Sequence, residues 1–143
     1  MKLFAFSLRE YDEKQYMDAI CEKLGIEYRY TPDYPSDENL HLCQGCDCVS
    51  IITSITDKPL LDKLYALGVR YITTRSIGYE HIDVEYAHQL GMKVGNVGYA
   101  PESVANYAIM LMLMCCRNIT HILKRADLQD YSLREKIGRD LSE

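Results

Sequence analysis

Along residues 1–98, apolar positions switch repeatedly between a period of two and a period near 3.6, which reads as strands alternating with helices. Residues 2–6 form the first apolar run. The spacing of Tyr16, Met17, Ile20 and Leu24 predicts a helix over residues 10–24, with Gly25 as its stop, and residues 26–31 follow as a strand. Pro32 and Pro35 mark a loop, after which Ser36 is positioned to cap a short helix reaching Cys43. Residues 46–52 form a third strand and residues 58–67 a helix. Asp57 is placed as its N-cap, and Pro59 lies in the first turn, where a missing N–H costs nothing. Residues 69–74 are rich in β-branched and aromatic residues and read as a buried strand, residues 84–90 are helical, Gly91 is a terminator and residues 92–95 form a fifth strand.

Strands joined by helices require crossover connections, so the sheet is expected to be mostly parallel. The fold class is therefore α/β, a flavodoxin-like layered domain. In such sheets ligands sit outside the carboxyl ends of the strands. Two loops open there: Ser76-Ile77-Gly78 after the fourth strand and Asn96-Val97-Gly98-Tyr99 after the fifth. Gly78 is expected to use a positive φ, which would let a ligand approach the backbone.

The pattern changes after Tyr99. From Glu102 onward the chain has no helix breaker for some two dozen residues, and YAIMLMLMCC, residues 107–116, lacks any strongly polar side chain. Ten such residues are too few to cross a bilayer, so a helix apolar on every side is expected to be buried in a core or an interface. This predicts self-association through residues 102–125.

Composition narrows the function classes. The chain has 143 residues, is 48% hydrophobic and 26% charged, and carries a net charge of −5. No long basic run offsets that charge, which argues against nucleic acid and against an anionic membrane surface as partners. The apolar run at the amino terminus is too short for a signal peptide, so a cytoplasmic location is expected. Six cysteines are present, and HLCQGCDC gathers His41, Cys43, Cys46 and Cys48. A structural zinc site usually draws on two separated ligand pairs, and no second pair exists here. No metal site is expected, and Cys115 and Cys116 read as small hydrophobes. Among the ionisable residues near the two loops, Arg75 is expected to pair with Asp83, while His81 reads as a turn residue.

The words TRSIG, HID, VGNV and YAPESVANY occur in this order over residues 74–107. Together they resemble the D-isomer-specific 2-hydroxyacid dehydrogenases, nearest to the D-lactate dehydrogenases and their vancomycin-resistance branch. The similarity runs more loosely to IGRDLSE at the end of the sequence, a phrase that in the family precedes the nucleotide-binding strand and its glycine loop. The resemblance implies that residues 1–98 are a substrate-binding domain and residues 99–143 the first helices of a truncated NAD-binding domain. It implies reduction of a 2-oxo acid to a D-2-hydroxy acid, with pyruvate and D-lactate as the pair, NAD as cofactor and a dimer or higher oligomer as the assembly. By the same resemblance, the backbone amides of Ile77 and Gly78 bind the substrate carboxylate, Tyr99 lines the substrate pocket, and Val104 faces the nicotinamide. Ala100 and Asn106 depart from the family pattern.

The arginine, glutamate and histidine that perform the family's chemistry fall beyond residue 143, so no catalytic residue is expected in this chain, and no Gly-x-Gly-x-x-Gly occurs in it. The expectation is the substrate-binding part of a dehydrogenase that does not turn over alone. Two alternatives stand beside it: a non-catalytic α/β module that binds a small carboxylate or a protein, and a metal or redox protein built on HLCQGCDC.

Overall fold

Five short strands, β1 (Lys2–Ala5), β2 (Glu27–Tyr30), β3 (Cys48–Ile51), β4 (Tyr71–Thr74) and β5 (Lys93–Gly95), pair in parallel in the order β2-β1-β3-β4-β5 in the computed structural model. The structure describes residues 1–132 and 137–141. The last two residues of the IGRDLSE phrase thus lie outside the described residues. The chain divides into two compact units, Met1–Gly98 and Tyr99–Glu143.

In the first unit, α1 (Lys14–Leu24), α2 (Lys58–Ala66) and α3 (Val84–Gln89) connect the strands, with a 3₁₀ turn over Leu40–Cys43. Strand side chains alternate between the faces. One face sends Phe4, Val49, Ile51 and Ile72 against Leu61, Leu64 and Ala87 of the helices and Leu40 and Cys43 of the turn. The opposite face places Leu3 and Cys48 against Cys21 and Met17 of α1. That face continues from Cys48 to its register partner Tyr71 and on to Lys93, where both side chains are exposed and the Lys93 ammonium lies 5.7 Å from the Tyr71 ring centroid.

Local signals operate as their chemistry dictates, with three exceptions in this unit. Asp57 accepts from the Leu60 N–H as the α2 cap, and Gly25 ends α1 in the left-handed region at φ 63°. Helix α1 begins at Lys14 and not at residue 10, because the Glu13 carboxylate folds back to accept the Arg9 N–H at 3.0 Å and holds residues 9–13 in a turn. Ser36 caps nothing with its side chain; the reverse bond forms, with the Ser36 N–H donating to the Asn39 side chain at 2.8 Å. Gly78 is absent from the glycines with positive φ, and a Cβ there would meet only the end of the Glu80 side chain, at 2.8 Å.

The second unit contains α4 (Glu102–Cys116) and α5 (Ile119–Ala126). The uninterrupted helix expected from Glu102 is broken at Asn118, which adopts φ 51°, a left-handed conformation that asparagine tolerates better than most residues. No residue of α4 is buried within the unit. The segment after residue 136 returns to the end of α4, where the Arg139 N–H donates to the Cys116 carbonyl at 2.8 Å. Gly138 permits this approach, since a Cβ there would lie 2.7 Å from both the Arg117 Cα and the Cys116 oxygen. Among the described residues, no helix is long and apolar enough to cross a membrane.

Candidate functional site

The loop leaving β4 has a lopsided hydrogen-bonding pattern. All three of its carbonyl groups are engaged: Ser76 accepts from the Val97 N–H at 3.3 Å, Ile77 from Asn96 Nδ2 at 2.8 Å, and Gly78 from the Ser76 hydroxyl at 2.7 Å. The amides of Ile77 and Gly78 donate to nothing among the described residues. Backbone donors need partners. A turn whose acceptors are satisfied and whose donors are left unpaired is suited to an anion, and a carboxylate can take two such N–H groups without a balancing side-chain charge.

A relay beneath the loop has a fixed direction. The Ser76 hydroxyl spends its single proton on the Gly78 carbonyl, so in the 2.7 Å contact between Thr74 and Ser76 the threonine must donate. Thr74 then has no proton left for His81, and its 3.1 Å contact with Nε2 requires the histidine to donate. The chain of bonds runs His81 to Thr74 to Ser76 to Gly78, and it fixes His81 with a proton on Nε2. His81 is held further through its own carbonyl, which accepts from the Thr56 N–H at 2.7 Å, while the Thr56 carbonyl accepts from the Asp83 N–H at 3.0 Å. His81 therefore braces the turn.

Arg75 does not pair with Asp83. The Asp83 carboxylate is occupied as the cap of α3, accepting from the Tyr86 N–H at 3.0 Å. The Arg75 guanidinium, 13% exposed, points to the sheet face that α1 covers and donates from Nε to Glu13 at 3.2 Å. Its Nη1 donates to the Ser50 hydroxyl at 3.1 Å, and its Nη2 to the carbonyls of Phe6 and Ser7 at 3.0 and 2.9 Å. One side chain thus joins the carboxyl ends of β1, β3 and β4 to the start of α1. Ser7 sits at φ 53° and Thr53 at φ 49°, so the chain exits from neighbouring strands β1 and β3 are both left-handed. For β-branched Thr53 such a φ is an outlier, and strain of this kind concentrates near functional sites. Burial opposes ionisation of Glu13, but the Arg9 N–H and Arg75 outweigh it and hold the carboxyl below its ordinary 4.5.

Of the four residues singled out by sequence, Ile77 and Gly78 share this loop. Tyr99 and Val104 belong to the second unit and are 55% and 60% exposed. The cysteines of HLCQGCDC are dispersed: Cys43 and Cys46 enter the core under α2, and Cys48 the one under α1. Burial raises both Cys43 and Cys48 to about 11. No group of three or more His, Cys, Asp or Glu suited to a metal occurs among the described residues. Sequence reasoning missed Asn96, Ser76, Thr74 and Glu13 as supports of the loop. The only signal for Asn96 was an amide side chain at the exit of β5, beside the β4 exit.

A parallel α/β sheet whose anion-suited turn lies at the carboxyl ends of its strands places that turn where ligands bind in open α/β sheets. Residues 5–137 match the family model for the D-isomer specific 2-hydroxyacid dehydrogenase, catalytic domain, and the chain belongs to that family. A D-specific alpha-keto acid dehydrogenase of Enterococcus faecium is 35% identical over 135 residues, covering 94% of this chain and 42% of the relative. The apo structure of D-lactate dehydrogenase from Escherichia coli superposes with a TM-score of 0.77 at 32% identity, covering 96% of this chain and 44% of that one. A D-lactate dehydrogenase with NAD+ from Lactobacillus jensenii superposes with a TM-score of 0.67 at 25% identity, covering 98% and 43%. The chain thus spans about 42% of the length of the curated relative.

Proposed function

We propose that this chain is the substrate-binding portion of an NAD-dependent D-2-hydroxyacid dehydrogenase that reduces a 2-oxo acid, with pyruvate and D-lactate as its pair. The observation that carries the reading is the turn at Ser76-Ile77-Gly78, with every carbonyl tied and the Ile77 and Gly78 amides without a partner among the described residues. Those amides take the substrate carboxylate, and the Tyr99 hydroxyl donates to the substrate. Residues 99–143 are the first helices of the cofactor domain, and Val104, apolar and exposed on α4, meets the nicotinamide. NAD, when bound, supplies the hydride. Residues 1–143 contain no glycine-rich cradle for its pyrophosphate, so they are not expected to hold it alone. The apolar surface of α4 and α5 is covered by a second copy through residues 102–125, and the assembly works in the cytoplasm.

The test is NADH oxidation with pyruvate and longer 2-oxo acids. Residues 1–143 alone are expected to be inactive. The same residues followed by a nucleotide-binding domain bearing the glycine loop are expected to reduce pyruvate to D-lactate. Turnover by residues 1–143 alone, or L-lactate from the longer protein, contradicts the reading.

A further inference from the structure

The peptide group between Ile77 and Gly78 carries both the carbonyl that Asn96 holds and the Gly78 N–H that is free. In a trans peptide these two groups point in opposite directions. Fixing the oxygen therefore fixes the direction of the N–H. Since the Ile77 carbonyl can only accept, the Asn96 atom 2.8 Å away is its amide nitrogen, and the Asn96 side chain is oriented without ambiguity. Asn96 leaves the end of β5, a strand paired with β4 in register, and the next residue donates its own N–H to the Ser76 carbonyl at 3.3 Å. The donor is thus mounted on a neighbouring strand and does not depend on the loop that it restrains. A hydrogen bond accepted at a peptide carbonyl also polarises that peptide and strengthens its N–H as a donor.

We propose that Asn96 is a positioning residue for carboxylate recognition: through the Ile77 carbonyl it aims and polarises the Gly78 amide toward the carboxylate of a 2-oxo acid. This rests on the carboxylate reading of the turn proposed above. Asn96 does not touch the substrate. It is exposed and follows the last residue of β5, so its replacement is expected to leave the sheet intact.

The test uses the 143-residue chain labelled with nitrogen-15 and titrated with oxamate, a carboxylate isostere of pyruvate, at constant ionic strength. Three variants accompany it: Asn96→Leu, close in shape but without a donor; Asn96→Ala, a second donorless form; and Asn96→Gln, which keeps the amide donor. In the parent chain the Ile77 and Gly78 amide resonances are expected to shift saturably. In Asn96→Leu and Asn96→Ala the free-state Gly78 resonance moves and oxamate binds roughly three- to tenfold more weakly, the range expected for one neutral hydrogen bond. Asn96→Gln recovers part of that loss, a recovery that a space-filling role would not produce. Resonances of residues 71–74 stay in place throughout. If the parent amides ignore oxamate, the carboxylate reading fails and takes this proposal with it. If they respond while the donorless variants bind equally well, or if Asn96→Gln is as weak as Asn96→Leu, the role of Asn96 alone is overturned.

Discussion

Replacing Arg75 with methionine keeps an unbranched stem of similar reach and removes the guanidinium that ties three strand ends to α1. The side chain is 13% exposed and its partner Glu13 16%, so solvent screens this pair only in part. Breaking a fully buried pair costs about 3–5 kcal/mol, and each buried acceptor left unpaired about 1–3 kcal/mol. One feature reduces the figure here: Glu13 keeps Arg9, whose Nη2 lies 3.3 Å away. The expected loss is about 2–4 kcal/mol for Arg75→Met. Arg75→Lys, which keeps the charge but cannot span four acceptors, is expected to lose roughly half as much. Glu13→Gln should fall below Arg75→Met, because the carbonyl and Ser50 bonds survive. The chain has no tryptophan, so urea unfolding is followed by circular dichroism and tyrosine fluorescence. At a slope of about 1–2 kcal/mol per molar, the Arg75→Met midpoint drops by roughly 1–4 M. The pair also leaves a signature in pH. Because the Glu13 carboxyl is lowered in the folded chain, its contribution is complete above 4.5 and is lost as pH falls below that value through the folded pKa; Glu13→Gln flattens this slope. A loss under about 0.5 kcal/mol for Arg75→Met would refute the idea that this network holds the edge of the sheet.

Gly78→Ala is expected to change stability by less than about 1 kcal/mol, because Gly78 does not use positive φ and the added methyl displaces only the Glu80 side chain; urea unfolding would reveal a larger cost. An aromatic disulfide reagent at pH 8 should label exposed Cys115 first and leave Cys43 and Cys48, both raised to about 11 by burial, unreacted until the chain unfolds; early loss of either thiol contradicts their placement. Leu111→Glu on α4, where Leu111 is 42% exposed, should weaken self-association in sedimentation, and a parent chain that stays monomeric at high concentration refutes the proposed pairing of copies.

The strands and helices of the first unit were legible because their apolar periods are driven by burial on each face of one sheet, and the observed elements fall inside the expected ranges. What escaped the sequence was long-range pairing. Asp83 is eight positions from Arg75 and looked like its partner, whereas Glu13, 62 positions away, is brought to it by the sheet order. The helix break at Asn118 escaped because asparagine serves in a helix and in a left-handed turn alike. The Ile77 and Gly78 turn was found by resemblance, and its supports were not. Asn96, Ser76 and Thr74 are ordinary loop and strand residues until the acceptor that each serves is known.

The central claim is that the Ile77 and Gly78 amides form a carboxylate site. Crystals of the chain grown with oxamate test it most directly. The account predicts carboxylate oxygens about 2.7–3.2 Å from both amide nitrogens, with the Asn96 and Ser76 bonds retained. Oxamate seated elsewhere, or a turn whose amides face other protein groups, would contradict it.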